Sequence, residues 1–260
     1  MISSVAKLHD ILEACGRVAI AFSGGCDSAV LAEAARRTLG ADNVLLLIAV
    51  SVLLPRSELR RAESCAAGLR LEKIEFDPLS HPEVAANTPQ RCYFCKKNLF
   101  NTLLVCSTAA GFPTLADGTN ADDPGDYRPG LRAADELGIL HPFLEAGITK
   151  REVRALGREW GVPVWNLPAA ACLASRIPTG TPLTATALHQ VEQAENQIRE
   201  LGFSGFRVRH LGDAARLELR PEELEEAAKL HSLLEERLHQ AGFSSFETAP
   251  YRTGSMNGSR

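Results

Sequence analysis

The chain has 260 residues, 45% of them hydrophobic and 23% charged, with a formal net charge of −4. That composition supports a packed core in one large domain or two modest ones, and it argues against disorder. The slightly acidic balance gives no global electrostatic case for nucleic-acid binding, and no apolar run approaches the ~20 residues of a membrane-spanning helix.

The opening MISSVAKLHDILEACGR carries Asp10 and Glu13 and lacks a signal-peptide core, so the chain is expected in the cytoplasm. Seven cysteines, an odd number, fit reduced thiols better than a disulfide framework, with some of them candidate metal ligands or nucleophiles.

Along the chain, an apolar strand at 18–22 stops at Ser23-Gly24-Gly25-Cys26-Asp27-Ser28, and a helical run follows at 28–39. Further strands are expected at 44–51, 71–76, 114–117 and 140–143, alternating with helices at 56–69, 93–110, 132–137 and 150–160. Most of these strands are short and apolar without alternation, as buried parallel strands are. The run LEKIEF at 71–76 is half polar and reads as a sheet edge. The alternation implies an α/β fold, a parallel sheet with helices on both faces, whose ligands bind outside the strand C-terminal ends. SGG, DGTN and HPF fall at or near such ends.

The Pro-, Ala- and Thr-rich stretch 163–182 then reads as a loop. Beyond it come a helix at 184–201, the strands FRVRHLG and ARLELR, a helix at 221–241 and SSFET. This α-β-β-α-β order predicts a small α+β C-terminal domain, with domains at 1–180 and 181–260. The leucine stripe of 221–241 (Leu224, Leu230, Leu233, Leu234, Leu238) is core or oligomer contact. Cys15, Cys65 and Cys106 sit in helical patterns as packing residues.

The glycine loop is the first chemical signal. N–H groups at a helix start attract anions, glycines admit close backbone approach, and Ser23 and Ser28 add hydroxyls. The loop is neither GxxxxGK[ST] nor GxGxxG. Taken alone it also reads as a tight turn with Asp27 or Ser28 as the helix N-cap. Asp117, Asn120, Asp122 and Asp123 follow a strand end and are candidates to orient metal or ribose, although DGTN is also good turn chemistry. Arg128 and Arg132, four apart, share a face if both are helical and would bind phosphate or solvate that face.

SGGCDS resembles the pyrophosphate loop of the ATP pyrophosphatase (PP-loop) superfamily, in which ATP is cleaved between its α and β phosphates. More of the chain is similar to one branch, the LarE-type ATP-dependent sulfur transferases of nickel-pincer nucleotide cofactor synthesis. The resemblance rests on RCYFCKKNLF (91–100), ADGTNADD (116–123), DYRPGLRAADELGI (126–139), ACLASRIPTG (171–180), FRVRHLGDAARLEL (206–219) and YRTGSMN (251–257), which keep their order along the chain.

The resemblance implies an acyl-adenylate made from ATP with Mg²⁺ on a pyridinium dicarboxylate mononucleotide, whose carboxylates become thiocarboxylates. The implied ATP-binding set is Ser23, Gly24, Gly25, Asp27, Ser28, Asp117, Thr119, Asn120 and Arg128, with Asp122 and Asp123 as candidate Mg²⁺ ligands. Cys26, in the variable position of the motif, gains no catalytic role. Cys172 is implied to attack the adenylate and surrender its sulfur, becoming dehydroalanine, with Arg176 nearby to favour the thiolate. The C-x-x-C pair Cys92 and Cys95 is half of a zinc pattern. With Cys172 it gives three thiolates, and some relatives hold a [4Fe-4S] cluster in this way, its open iron carrying sulfide.

Arg207 and Arg209 alternate on a strand and share a face suited to phosphate or carboxylate. Glu195 is a candidate for removing the Cys172 Cα proton, and Arg252 for a phosphate contact. Surface salt bridges are the plain alternative for these residues. The family implies a homo-oligomer and a small-molecule partner, while the charge balance and the lack of a long apolar run imply no nucleic acid or membrane. The rival readings are another PP-loop enzyme (a tRNA thiolase or an amide-forming synthetase) and a non-catalytic ATP-binding regulator.

Overall fold

A computed structural model describes residues 2–66, 68–123, 129–168 and 171–251. Arg128, Arg252 and most of YRTGSMN lie outside these residues. Two compact units divide the chain. The first comprises residues 1–78 and 92–170, and the second residues 79–91 and 171–260. The break at 170/171 therefore falls ten residues before the expected boundary, and the second unit also takes an early segment. Asn87 explains the association. Its side-chain amide donates to the Pro178 (2.9 Å) and Thr181 (2.8 Å) carbonyls, and its own carbonyl accepts the Gly180 N–H at 2.9 Å.

In the first unit, β1 (Val18–Ala21), β2 (Val44–Val50), β3 (Arg70–Glu75) and β4 (Thr114–Ala116) form one parallel sheet in the order β3-β2-β1-β4. The half-polar β3 is at the edge, as LEKIEF suggests. The strand expected at 140–143 is reduced to one bridge, Ala116 to Leu140, because Pro142 starts a short helix instead. Proline suits the first helical position, where its missing N–H costs nothing.

The period-2 geometry of strands sorts the apolar residues onto two faces. Val18, Ile20, Val44, Leu46 and Ile48 face a core shared with α1 (Ile2–Cys15), α2 (Cys26–Leu39), α3 (Arg56–Cys65) and, later in the chain, α8 (Lys150–Glu159). Ala19, Leu45 and Leu47 face the other side, where Phe100 and Leu103 of α5 (Arg91–Ala109) and Ala134 of α6 (Pro129–Glu136) cover them. The first unit also contains α7 (Pro142–Glu145), whereas α4 (Pro82–Ala85) falls in the 79–91 segment of the second unit. The α1 helix was not among the expected elements. Its Leu8 and Leu12 are fully buried. Truncating a leucine so placed costs about 2–5 kcal/mol.

The second unit contains α9 (Ala185–Glu200), β5 (Arg207–Leu211), β6 (Ala214–Leu219), α10 (Leu224–Lys229), α11 (His231–Gln240) and β7 (Ser245–Pro250). β5 pairs antiparallel with β6, and β6 parallel with β7. Val208, Ala215 and Leu217 point into a core with Ala194 and Ile198 of α9 and Leu234 and Leu238 of α11. The helix expected at 221–241 is split at Leu230 (φ −95°, ψ 15°), so that Ala227 of α10 joins the same core as Leu234 and Leu238. No helix among the described residues is long and apolar enough to cross a membrane.

Candidate active site

The glycine loop joins β1 to α2 at the C-terminal end of the sheet. Gly25, not Asp27 or Ser28, is the N-cap, and it makes no side-chain cap. Cys26, Asp27 and Ser28 are therefore the first helical residues, whose N–H groups have no carbonyl in the preceding turn. The two serines brace the turn. Their hydroxyls lie 3.2 Å apart, and Ser28 Oγ donates to the Gly25 carbonyl at 3.2 Å.

Two glycines let this loop pack as it does. Gly24 has φ +68°, and a Cβ there would lie 2.5 Å from the Cβ of Ala62 on α3. On the other side, a Cβ on Gly118 of the DGTN turn would lie 2.9 Å from Asp27 C, Asp27 Cβ and Ser28 N. The DGTN turn thus lies directly on the first turn of α2.

Asp27 meets Lys150, the first residue of α8, with Oδ2 2.5 Å from Nζ. Its Oδ1 is buried and has no hydrogen-bond partner among the described residues. Thr149 positions Lys150 through a reciprocal capping box with Glu152. The T-x-x-E pattern announces that helix start, but the Lys150–Asp27 pair was not foreseen.

Asp117 ends β4. Its Oδ1 accepts from His141 Nδ1 at 2.7 Å and from the Thr119 N–H at 2.9 Å. Burial opposes the charge on both partners. It is outweighed on Asp117 by the hydrogen bond and charge of His141, then by Lys96 and the Thr119 N–H, which hold this carboxyl below its ordinary value. On His141 the bond and charge of Asp117, with Asp135 beside it, hold the imidazole above its own.

Asp122 and Asp123 have structural work. Asp122 Oδ2 accepts the Lys150 N–H at 2.8 Å, and Asp123 Oδ2 accepts the Asn120 N–H at 2.9 Å. Among the described residues no group of three or more His, Cys, Asp or Glu is placed to hold a metal ion. For a hard cation, Asp27 Oδ1 is a better-fitting oxygen than either of these aspartates, being buried and uncommitted.

Cys26 is buried, and its thiol donates to the Trp165 carbonyl at 3.1 Å. Burial pushes this thiol up, with help from the Asp27 charge and against the opposing charges of Lys150 and Arg154. That is the setting of an inert cysteine. Arg132 pairs with Glu136 and lies over the Tyr93 ring, 4.0 Å from its centroid, so it serves its own helix face. Cys92 and Cys95 occupy the first turn of α5, three residues apart and so on one face, Cys92 exposed and Cys95 partly so.

In the second unit, Cys172 caps a 3₁₀ turn, Leu173–Arg176. Arg176 is 4% exposed and grips Glu195 with two hydrogen bonds, of 2.8 and 3.0 Å. Its Nη1 donates to the carbonyls of Ala171 (2.8 Å) and Cys172 (3.1 Å). Arg209, paired with Glu218 at 2.7 Å, donates from Nη1 to the Ser175 carbonyl at 2.9 Å. The turn is therefore fixed through its backbone. The Cys172 side chain is exposed and has no hydrogen-bond partner among the described residues.

Two of the candidate residues pair with each other. Arg176 is committed to Glu195 and to main-chain carbonyls, so it is not an uncommitted cation beside the thiol. Glu195 accepts from Arg176 and also from the Val208 N–H at 3.2 Å, so its oxygens are engaged in holding the turn. Arg207 differs from both. It is partly buried and has no ion-pair partner among the described residues, and its side chain donates to the Phe206 carbonyl at 2.6 Å. Burial first, then the charges of Arg176 and Arg209, lower its pKa despite Glu195 and Tyr251.

A parallel sheet carrying SGGxDS between its first strand and the following helix places the chain in the PP-loop superfamily. The tRNA-specific 2-thiouridylase of Rhizobium rhizogenes is 28% identical over 57% of this chain and 48% of that protein. Similarity extends much further with two other proteins. An uncharacterised protein of Synechocystis is 37% identical over 98% of the chain and 97% of its own length. The pyridinium-3,5-bisthiocarboxylic acid mononucleotide synthase of Lactiplantibacillus plantarum is 36% identical over 97% of the chain and 92% of its own length. The chain belongs to the LarE-type family of pyridinium-3,5-bisthiocarboxylic acid mononucleotide synthases. No family model matches it.

Proposed function

We propose that the chain is an ATP-dependent sulfur transferase of nickel-pincer cofactor synthesis. It converts the carboxylates of pyridinium-3,5-biscarboxylic acid mononucleotide to thiocarboxylates through an acyl-adenylate. The observation that carries the reading is Cys172, an exposed, unbonded thiol on a turn that Arg176 and Arg209 hold by its backbone. A nucleophile spent in the reaction needs this support, because nothing that positions the turn is lost with the sulfur.

In this reading the N–H groups of Cys26, Asp27 and Ser28 receive the β and γ phosphates, with Ser23, Gly24 and Gly25 completing the cradle. Lys150 adds positive charge beside Asp27, and a bound Mg²⁺, facing Asp27 Oδ1, would offset phosphate charge as the α–β bond breaks. The DGTN residues Asp117, Thr119 and Asn120 border the nucleotide. The Cys172 sulfur attacks the activated carbonyl and AMP departs, leaving a thioester. Loss of the Cys172 Cα proton with cleavage of its Cβ–S bond then releases the thiocarboxylate and leaves dehydroalanine. Arg207 is the residue best suited to an anionic group of the substrate, and Arg176, Glu195 and Arg209 position the turn.

The spacing of Cys92 and Cys95 on one helical face supports a second sulfur source. By the family resemblance, such a pair with a third thiolate would hold a [4Fe-4S] cluster, which would supply sulfide and spare the protein's own sulfur.

Intact-mass analysis after turnover tests the proposal. A loss of ~34 Da, the mass of H₂S, is expected if Cys172 donates its own sulfur. Unchanged mass with stoichiometric iron in anaerobic preparations supports the cluster. Full sulfur transfer by Cys172→Ala overturns both routes.

A further inference from the structure

The first unit contains a pocket of about 540 Å³ lined by Arg151, Arg154, Ala155, Arg158, Glu159 and Trp165. It is a shallow depression open to solvent, not an enclosed cavity. The three arginines follow one another along a flank of α8 at i, i+3 and i+7, so they share a face. None of them pairs with a carboxylate among the described residues. Arg36, Arg37, Arg61, Arg70, Arg216 and Arg220, by contrast, each do so on other parts of the surface. Arg154 also has a buried Nε with no partner among the described residues. The Arg158 guanidinium lies 5.7 Å from the centre of the Trp165 ring, which forms an aromatic wall.

We infer that this pocket binds an aromatic mononucleotide, with its phosphate on the arginines and its ring against Trp165. Charge and shape both favour this class. Three guanidiniums against the single carboxylate of Glu159 leave two positive charges. A phosphate monoester carries about −1.5 to −2 at neutral pH. Guanidinium forks match phosphate oxygens, and an indole face receives a flat ring without demanding one base.

The site is distinct from the glycine loop but touches its support. The Trp165 carbonyl accepts the Cys26 thiol, and Gly157 lets α8 close on α2, since a Cβ there would lie 2.8 Å from Val30 Cγ2 and 2.9 Å from Trp165 Cβ. Trp165 therefore packs against the helix whose first turn forms the proposed phosphate cradle. Two mononucleotides share the required chemistry: AMP, the leaving group of an adenylation, and a pyridinium mononucleotide.

The test uses Trp160→Phe, in which Trp165 is the remaining indole of the chain. AMP, nicotinamide mononucleotide and inorganic phosphate are titrated against Trp165 emission. Saturable quenching by at least one mononucleotide and not by phosphate is expected, and the mononucleotide that quenches identifies the source. Arg151→Gln/Arg158→Gln, both on exposed positions, should weaken that binding about tenfold or more, because charge-assisted hydrogen bonds are lost. The same variant should leave ATP binding at the loop, read by calorimetry with a non-hydrolysable analogue, unchanged. Quenching that survives the double variant, that Ser23→Ala/Ser28→Ala abolishes instead, or that phosphate alone reproduces overturns the inference. Absence of quenching by both mononucleotides also overturns it. None of these outcomes bears on sulfur transfer from Cys172, which the mass assay reads separately.

Discussion

Gly118→Ala tests whether the DGTN turn and the glycine loop are one packed assembly. The backbone of Gly118 is not left-handed, so the cost of the substitution is purely steric. Its new methyl would lie 2.9 Å from Asp27 C, Asp27 Cβ and Ser28 N, where non-bonded carbons prefer about 3.5–4.0 Å. The loop cannot retreat, because Gly24 on its far side already sits against Ala62, where a Cβ would meet another at 2.5 Å. The turn must therefore give way by roughly half an ångström or more. Overpacking of this kind costs about 1–3 kcal/mol. For a chain of this size that lowers Tm by roughly 3–10 °C. Differential scanning calorimetry should show the fall, and the KM for ATP should rise if the displaced atoms belong to the proposed phosphate cradle. A variant with unchanged Tm and unchanged KM would refute the packing argument.

Further outcomes follow from other parts of the site. Glu195→Ala strands the buried Arg176 guanidinium and should destabilise the second unit by about 3–5 kcal/mol in urea unfolding. The double variant Arg176→Met/Glu195→Leu should recover much of that stability but not the sulfur transfer. Thr149→Ala removes the cap of α8 and should cost about 1 kcal/mol. Cys26→Ala should keep full sulfur transfer, and a marked loss would return chemistry to that thiol. The Asp117–His141 pair makes stability depend on pH with a definite sign. The raised imidazole contributes fully below its ordinary value of 6.5, and this is lost as pH rises through its folded value. The lowered carboxyl contributes above 3.8, and this is lost as pH falls through its folded value. Urea midpoints of His141→Asn should thus fall furthest below those of the parent chain between these limits, and a pH-independent difference would contradict the pairing.

Particular residues show what was legible in the sequence. The buried strands were readable because each carries apolar residues on both faces. The edge position of β3 was readable because Glu72, Lys73 and Glu75 interrupt such a run. His-Pro-Phe at 141–143 misled, since apolar residues beside a sheet end look alike in a strand and in a proline-started helix. In the site, Cys172, Arg176, Glu195, Arg207 and Arg209 fall in one unit, yet their pairing was hidden. Arg176 and Glu195 lie 19 residues apart, and only the fold turns two candidate reagents into a bidentate pair. Gly118 stood within a quoted motif, but its value is a distance to another loop, which no local pattern encodes.

The Asn87 contacts bear on how the chain is made. This residue holds φ 53°, and its carbonyl and amide meet Gly180, Pro178 and Thr181, about ninety positions later. Synthesis at ≈ 5–20 residues per second delivers those partners roughly 5–20 s after Asn87 itself. During that interval residues 79–91 leave the ribosome with their eventual unit unwritten, while the strands on either side of them are already available to pair. The segment is thus a placeholder in the nascent chain, and a ribosome-bound chain halted before residue 171 should be cut within 79–91 by protease far faster than the finished protein.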